Sequence, residues 1–379
     1  MDQDRFTVNP FPGLQIPAND QAQLQELASS LLQSKIDDYN AYVLAQRRIK
    51  EREGLVAYAE RPESSPAGTG SLSGSGLPMV LCVGTMKGNL NDLMYGVVGK
   101  DLKAMRLIAS YTNNLSAGAV LDPIIQPTIQ DRYHTLTIKW MELDFPLAST
   151  NLVKNRDYVC LEGTGFVTAQ NGDRLGYHLL HSVSFEQTPE LPNRVRGNVS
   201  IIGMWHQAGP NTIEMYGTGI FDPCGDMIRM LVVPGIASGF MSSVNYVHCG
   251  QMRKLSFMLE KAYAESKLLG TPSKDNECVT CSASGRRKRD FARSNSTCKL
   301  CFGHVVQKLS FENHDLQLQK RKVTFCTKCI GSVVSMNAMD CARAKVLGVQ
   351  KGGARSSIGT DGSMRSGEFP TDLSYVSSS

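Results

Sequence analysis

The chain has 379 residues, of which 41% are hydrophobic and 20% are charged. This length predicts two domains with additional tails, and the composition supplies enough apolar side chains for a sizeable core. The longest apolar run near the middle, Met230 to Met241, contains a proline and two glycines and is too short to span a bilayer. The polar start, MDQDRFTVNP, argues against a signal peptide and favours a soluble, cytoplasmic protein.

The net charge of +5 is distributed unevenly along the chain. Between Cys278 and Cys329 there are eleven basic and three acidic residues, a net +8, so the rest of the chain carries a net −3. A basic segment on a mildly acidic body indicates an anionic partner, such as a membrane surface, a phosphoinositide or nucleic acid. A solvated basic surface without a partner is the alternative.

The first part of the chain reads as a tail followed by helical and extended segments. A tail over 1–18 precedes a long helix over 19–53, in which leucines and tyrosines recur at helical spacing before Gly54. The stretch from Pro62 to Gly76 is rich in Ser, Gly and Pro and predicts a flexible loop. Further elements are predicted as strands at Leu55 to Glu60 and Pro78 to Met86, and as two short helices within Asn89 to Tyr111.

The central part of the chain alternates between apolar and polar residues, which is typical of half-buried antiparallel strands. The sequence Asn171-Gly172-Asp173 predicts a hairpin turn between two of them. The predicted strands are His134 to Leu143, Arg156 to Ala169, Arg174 to Phe185, Asn198 to Gln207 and Thr212 to Phe221. After Pro234 the spacing becomes helical and continues to Leu269, so an α+β fold is predicted, with a curved antiparallel sheet covered by one long C-terminal helix.

A sheet with a large apolar face under a helix leaves space for an apolar ligand. Alternation places five side chains on the candidate inner face and makes them candidates for lipid contact: Trp140, Tyr177, His181, Trp205 and Met215. His181 is read either as a core residue with one hydrogen bond or as a contact to a ligand head group. Neither a nucleophile–base pair nor an open catalytic metal site is recognisable, so we do not expect an enzyme.

Six cysteines form three Cys-x-x-Cys pairs, which are candidate metal ligands: Cys278/Cys281, Cys298/Cys301 and Cys326/Cys329. Each pair can place two thiolates on one side of a tight turn, and two pairs complete a tetrahedral zinc site. Disulfides are the alternative, but in a reducing compartment such clusters are more often metal sites. Four single cysteines, Cys82, Cys160, Cys224 and Cys249, are typical of core positions, and Cys341 is the only other thiol near the pairs.

The body, over 54–269, resembles the START lipid-transfer domains. The resemblance rests on five stretches in a matching order: Thr137 to Trp140, Asn155 to Val159, Gly172 to His178, Val195 to Gly197, and Phe221 to Gly225. It implies a helix-grip fold, in which an antiparallel sheet wraps around the C-terminal helix and encloses a tunnel for one lipid. The matching stretches are mainly fold-forming, and we expect Arg156 and Asp157 to make a local ion pair or turn contact rather than to take part in chemistry.

The cysteine segment, placed within 270–345, resembles a degenerate FYVE zinc finger, a module that binds phosphatidylinositol 3-phosphate on endosomes. The family has four cysteine pairs; here the third is replaced by Val306 and Leu309. The resemblance implies that Cys298/Cys301 and Cys326/Cys329 share one zinc, while Cys278/Cys281 keep half a site that His304 or His314 could complete. A zinc ribbon that pairs Cys278/Cys281 with Cys298/Cys301 is the alternative.

The basic residues near the first two cysteine pairs are Arg286, Arg287, Lys288, Arg289 and Arg293. The family's His-His sequence before its second pair is replaced here by Ser-Asn-Ser-Thr, so a general attraction to anionic membranes is predicted from these residues rather than head-group recognition. A nuclear-import signal is the alternative for the same cluster. Nucleic acid is not expected as the partner, because aromatic residues are not interleaved with the basic ones. The chain from 346 to 379 is predicted to be a disordered tail.

The sequence therefore predicts an intracellular lipid-binding protein with a basic zinc module that contacts an intracellular membrane, such as the endosomal one, or a partner. The alternative is a scaffold whose body is filled by its own side chains and whose zinc module docks proteins or anionic membrane.

Overall fold

The computed structural model describes residues 8–40, 46–52, 54–60, 79–112, 115–143, 154–225, 229–269, 296–302, 304–305, 309–314 and 320–355. The helices in these ranges are α1 (Ala18–Asn40), α2 (Leu90–Val97), α3 (Leu102–Thr112), α4 (Arg229–Met241), α5 (Val244–Leu269), α6 (Thr327–Ser335) and α7 (Ala338–Arg355). The strands are β1 (Gln46–Arg52), β2 (Leu55–Glu60), β3 (Val80–Lys87), β4 (Leu115–Ile125), β5 (Thr135–Leu143), β6 (Asn155–Thr168), β7 (Arg174–Ser182), β8 (Arg194–Arg196), β9 (Asn198–Gly209), β10 (Thr212–Asp222), β11 (Ser296–Thr297), β12 (His304–Val305), β13 (Leu309–His314) and β14 (Lys320–Phe325).

Ten of these strands form one sheet in the order β1-β2-β3-β10-β9-β7-β6-β5-β4, with β8 added beside β6. All neighbours are antiparallel except β8, which runs parallel to β6. The predicted hairpin is confirmed: Gly172 has a φ of 87° at the turn between β6 and β7, and the backbone N–H of Asp173 donates to the Asn171 side chain over 3.0 Å. The predicted antiparallel sheet is thus confirmed.

The first helix is shorter than predicted. Helix α1 ends at Asn40, and Gln46–Arg52 forms strand β1, which pairs with β2, instead of the last turns of a helix. Gly54 has a φ of 88°, so the chain reverses there and places the charged segment along β2. This segment is the edge of the sheet, where charged side chains are common because they oppose pairing with another chain.

The C-terminal helix is also divided, because α4 and α5 are separate helices on either side of Ser242 and Ser243. The backbone N–H groups of these two serines donate to Ser238 and Phe240 in turn-like bonds. Helix α7 continues to Arg355, past the predicted start of the tail at 346. The other predicted segments in 270–295 and after 355, and the predicted loop from Pro62 to Gly76, lie outside the described residues.

The sheet has two buried faces. Its outer face packs against the N-terminal segment and α1, with Phe11, Leu14 and Ile16 at one end and Ile36 at the other. Its inner face packs against α2 and α4, and against α5 near Val247. The sheet and the long helix α5 therefore form the predicted helix-grip arrangement, with an additional helix on the opposite side.

The cysteine module, here defined as residues 296–355 in their described ranges, packs against both α5 and α2. Ala338, Cys341 and Ala342 of α7 belong to the core that also contains α2 and the inner face of the sheet. Met252 and Leu255 of α5 share a core with Phe325, Cys326 and neighbouring apolar side chains of the module. No described helix has the length and apolar character needed to cross a membrane.

Candidate metal centre and buried polar cluster

Four cysteines of the module lie together. The Sγ atoms of Cys298, Cys301, Cys326 and Cys329 are all within 4.8 Å of one another. Cys298 and Cys301 belong to a tight turn after β11, which the backbone N–H of Phe302 closes by donating to the Cys298 carbonyl over 2.9 Å. Cys326 is the N-cap of α6 and Cys329 lies in its first turn. Each Cys-x-x-Cys pair thus places both sulfurs on one side of a turn.

Two of these sulfurs receive backbone N–H groups, which favour a thiolate, whereas burial and the neighbouring cysteines raise the pKa of Cys329. Burial alone would raise the pKa of Cys298, but backbone N–H groups of Cys301, Cys326 and Leu300 point at the sulfur and hold the pKa below its ordinary value. The N–H of Cys329 likewise points at the Cys326 sulfur over 3.4 Å. Four clustered cysteines, of which Cys298 and Cys326 are buried and Cys301 is exposed, are the donor set of a structural site for Zn²⁺. With four protein ligands such a site offers no open position for a substrate.

This geometry corresponds to one of the two pairings considered from the sequence. The second and last cysteine pairs are brought together, as the FYVE-like spacing implied. Cys278 and Cys281, and the basic residues Arg286 to Arg289 and Arg293, lie outside the described residues. Cys341 is buried on α7 and is separate from the cluster.

A buried polar cluster occupies the inner face of the sheet. Lys139 of β5 and Glu162 of β6 form an ion pair, and His178 Nε2 of β7 lies 3.0 Å from the other Glu162 oxygen. The side chains of Lys139 and Glu162 are only 2% and 8% exposed. The ring of Tyr246 on α5 stands edge-on to His178 at 6.2 Å. We name Lys139, Glu162 and His178 the inner polar cluster.

The charges of the inner polar cluster are mutually dependent. Burial alone would raise the pKa of Glu162, but the Lys139 charge and the His178 hydrogen bond outweigh it and lower the pKa to about 2. A buried carboxylate is tolerated only when such partners are present. The cluster was not predicted from the sequence, although the hairpin register at Asn171 to Asp173 pairs Thr164 with His178 and so places Glu162 diagonally beside that histidine.

Further polar groups on the inner face have no hydrogen-bond partner among the described residues. They are Thr137 Oγ1, Tyr158 OH and Trp205 Nε1, in side chains that are nearly inaccessible to solvent. A buried polar group without a partner costs about 1–3 kcal/mol. The inner face therefore carries both a charged cluster and unsatisfied donors, which is unusual for a face that serves only as a core.

The predicted lipid-contacting side chains divide between the two faces. Trp205 and Met215 lie on the inner face, in the core formed with α4 and α5. The placement of the other three on that face was wrong: Trp140 packs with the N-terminal segment and Tyr177 with α1, while His181 shares the strand parity of Tyr177 and bonds Ser200 over 3.0 Å. The reason is that α1, like α5, supplies an apolar stripe, so both faces are covered.

The space between sheet and helices is closely packed at several points. A Cβ added at Gly176 would lie 2.5 Å from Met94 of α2, and one added at Gly217 would lie 2.7 Å from Phe240 of α4. An open cavity of about 650 Å³ lies instead on the outer face, beside the end of α1 at Tyr39. Ligand entry at the inner face therefore requires the helices to move away from the sheet.

The stretches that carried the START resemblance form a structural network. Asp157 accepts hydrogen bonds from Trp140 Nε1 at 2.9 Å and from the Arg196 guanidinium at 2.9 Å. Arg156 donates to the carbonyls of Pro223 and Cys224 at 3.3 and 3.4 Å. These contacts join β5, β6, β8 and the end of β10. Arg156 and Asp157 therefore stabilise the fold mainly through contacts between distant strands, rather than through the local pair or turn contact that was predicted.

Neither a family model nor a curated protein matches the chain significantly. Among solved structures, human StAR-related lipid transfer protein 5 superimposes with a TM-score of 0.42 and 16% identity, covering 61% of this chain and 95% of that one. Human STARD10 gives a TM-score of 0.38 and 14% identity over 62% and 81% of the two chains. A StAR-related lipid transfer protein fragment from Xanthomonas axonopodis gives a TM-score of 0.38 and 16% identity, covering 54% of this chain and 99% of that one.

Proposed function

We propose that the body of this chain binds one hydrophobic ligand with a hydrogen-bonding group, between the inner face of the sheet and helices α2, α4 and α5. The observation that supports this most strongly is the inner polar cluster together with the unsatisfied Thr137, Tyr158 and Trp205 groups. A polar ligand group beside them would replace missing hydrogen bonds, while Met215 and the surrounding apolar side chains would receive the hydrocarbon part. A lipid of the type that START-like domains carry fits this chemistry.

The energy for such binding comes from removing hydrocarbon from water. Each buried methylene contributes about 0.8 kcal/mol relative to water. The ligand starts in a bilayer, however, so the protein must match that environment, and the polar contacts decide which lipid it retains. The protein's role in this proposal is binding and carriage in the cytoplasm rather than catalysis.

The proposal is tested by mass spectrometry of the lipids that the purified full-length chain retains after incubation with a cell lipid extract. We expect one lipid class at stoichiometric amounts. The double variant Lys139→Met/Glu162→Gln removes the charges of the inner polar cluster and should retain much less, whereas Trp140→Phe, a change on the outer face, should retain the same amount. Equal retention by the wild type and the double variant would contradict the assigned site.

We propose further that the four clustered cysteines hold zinc and that the basic residues before them attract anionic membranes. The donor set supports zinc, and the spacing of the cysteine pairs supports a degenerate FYVE type for the module. Elemental analysis should find one tightly held zinc, lost in Cys298→Ser and Cys326→Ser and kept in Cys341→Ala, which removes a buried thiol outside the cluster. Loss of the metal in Cys341→Ala alone would contradict the ligand set.

The alternative function, a scaffold that binds no lipid, is favoured by the close packing at Gly176 and Gly217. In that case the inner polar cluster is only a structural element. A folded chain that retains no lipid but sediments with vesicles containing phosphatidylserine would support the scaffold, because the module would then be the functional surface.

A further inference from the structure

The sequence suggested a zinc module that is separate from the body, but the structure joins the two: α7 packs in the core with α2, and the cysteine cluster packs against helix α5. Met252 and Leu255 of α5 pack in one core with Cys298, Phe325 and Val333 of the cysteine module. Two metal-ligand candidates, Cys298 and Cys326, belong to this core. The surroundings of the metal site are therefore built partly by the helix that covers the sheet.

Lys254 of α5 is the polar centre of this contact. Its Nζ lies 2.8 Å from an Asp92 oxygen on α2, and it donates to the carbonyls of Val334 at 2.8 Å and Met336 at 3.0 Å. The Lys254 side chain is only 1% exposed. An ammonium group has three donors, and the three acceptors lie on α2 and at the C-terminal end of α6. None of these acceptors can therefore move without leaving a buried charge incompletely bonded.

Helix α6 connects Lys254 to the cysteine cluster. Cys326 and Cys329 lie at its N-terminus, and the Val334 and Met336 carbonyls lie at its C-terminus. Its 9 residues span about 13 Å, since each residue of a helix rises about 1.5 Å. The thiolates at the N-terminus and the ammonium at the C-terminus both complement the helix dipole. A metal that fixes the first turn of α6 therefore also fixes the acceptors of Lys254.

On its other side, α5 contacts the inner face of the sheet. Tyr246 lies about two turns before Lys254, and its ring is edge-on to both His178 at 6.2 Å and Trp205 at 6.3 Å. Between these positions α5 touches α2 backbone to backbone, because a Cβ added at Gly250 would lie 1.9 Å from the Asp92 carbonyl. A tight helix pair of this kind moves as a unit rather than by local adjustment.

We propose that metal occupancy of the cysteine cluster controls ligand exchange at the inner face, with Lys254 as the residue that couples the two sites. With metal bound, α6 holds Lys254 and thereby keeps α5 and α2 against the sheet. Without metal, the first turn of α6 loses its anchor, Lys254 loses two of its acceptors, and the helices separate from the sheet more often. The ligand part of this inference rests on the proposed function, whereas the link between the metal and α5 does not.

The link is tested first without any lipid, by hydrogen exchange of the full-length chain before and after removal of zinc with a chelator. We expect the amides from Tyr246 to Arg253 to exchange at least about 5-fold faster without zinc, the lower end of ordinary coupling between two sites. Unchanged exchange in this part of α5, with faster exchange confined to 320–340, would overturn the proposal.

Variants of the coupling residue separate the link from general unfolding. Lys254→Met keeps the aliphatic stem of the side chain and should still bind zinc. The amides of α5 in this variant should nevertheless exchange as fast as those of the zinc-free wild type, and chelation should change their exchange little further. Asp92→Asn is a second variant that keeps an acceptor near Lys254 and should show a smaller effect in the same direction. The matched control is Glu260→Gln on the same helix α5, which removes an exposed ion pair with Lys103 of α3. This control should behave as the wild type does.

The consequence for the ligand is measured as the transfer rate of NBD-labelled phosphatidylcholine between phosphatidylcholine vesicles. Chelation of the wild type should raise the rate, and Lys254→Met should show the raised rate with zinc still bound. A chain that takes up no probe in either state counts against the proposed function, while the hydrogen-exchange result still decides the coupling. Equal transfer with and without zinc, by a chain that does carry the probe, would overturn control of exchange.

Discussion

The two faces of strands β5 and β6 are both buried but differ in chemistry. The outer face presents Leu136, Ile138, Val159 and Leu161 to the N-terminal segment, and these side chains form a continuous apolar core. The inner face presents threonines together with the Lys139–Glu162 pair to the covering helices. The hydrophobic effect stabilises the folded state whatever the mutual orientation of the apolar groups, whereas buried polar groups stabilise it only when each has its hydrogen-bond or charge partner. This difference in chemistry is the basis of the ligand site proposed for the inner face, and it predicts different responses of the two faces to substitution.

The largest effect is expected from breaking the Lys139–Glu162 pair. Lys139→Met should lower the free energy of unfolding by about 3–5 kcal/mol, because it leaves the Glu162 carboxylate buried without its cation. The double variant Lys139→Met/Glu162→Gln should recover most of this loss, because neither residue then carries a charge. Urea denaturation of the three proteins measures both values.

A single variant as stable as wild type would mean that solvent reaches Glu162 and that the inner face is open. Equal destabilisation of the single and double variants would mean that packing, rather than charge, accounts for the loss. Either outcome would weaken the contrast between the two faces.

The outer face provides the apolar counterpart. Leu161→Ala should cost about 3 kcal/mol, because it removes a fully buried side chain and leaves a cavity in the core with the N-terminal segment. The cost should be the same with and without lipid, as measured by denaturation in the presence of the retained lipid class. A cost that disappears when lipid is added would place ligand on the outer face.

The pH dependence of stability should also distinguish the two faces, because the inner polar cluster contains a buried carboxylate. The pKa of Glu162 is about 2 in the folded state against an ordinary value of 4.5, so its contribution is fully present above pH 4.5 and is lost as the pH falls toward 2. A pKa shift of this size corresponds to a contribution of about 3 kcal/mol to the free energy of unfolding. The stability of the wild type should therefore fall more steeply than that of Lys139→Met/Glu162→Gln over this window, in denaturant titrations at each pH. Parallel profiles would show that the pair contributes nothing to acid sensitivity.

The sequence predicted which residues share a face, but it did not predict which face turns toward α5. Alternation correctly grouped Leu175, Tyr177 and Leu179, since this grouping depends only on the period of a strand. The choice of face failed because β7 is flanked by two apolar helices, and local patterning does not tell α1 from α5. For the same reason the polar side of β5, which carries Lys139, received no candidate residue, and the inner polar cluster was missed.

The cysteine module shows the same division between local and tertiary information. The spacing within Cys298/Cys301 and Cys326/Cys329 was sufficient to predict two metal-ligand pairs, because each pair is a local turn motif. It left open whether Cys298/Cys301 share a site with Cys326/Cys329 or with Cys278/Cys281, and the fold brings the first combination together. The contacts of Lys254 could not be predicted, because its acceptors lie 162 residues before it and 80 and 82 residues after it in the chain. What joined the modules was therefore visible only in the fold.

The smallest expected effect concerns two threonines on the inner face of β5. Thr135 Oγ1 is hydrogen-bonded to Thr164 Oγ1 at 2.7 Å, whereas Thr137 Oγ1 has no partner among the described residues. Thr135→Val should therefore lower stability by about 1 kcal/mol, while Thr137→Val should leave it unchanged or raise it by a similar amount, since an unsatisfied buried hydroxyl is removed.

Lipid retention should show the opposite order for these two variants. Thr137→Val should retain less lipid although it is the more stable protein, because the lost Thr137 hydroxyl would be bonded to the ligand and not to another group of the protein. Thr135→Val should retain lipid as the wild type does once it is folded. If Thr137→Val is more stable and retains lipid normally, the Thr137 hydroxyl serves neither the fold nor a ligand, and the ligand's polar group must be placed nearer the inner polar cluster. A residue that weakens the fold and strengthens binding is the signature of a site, and this pair of single-atom changes tests for it directly.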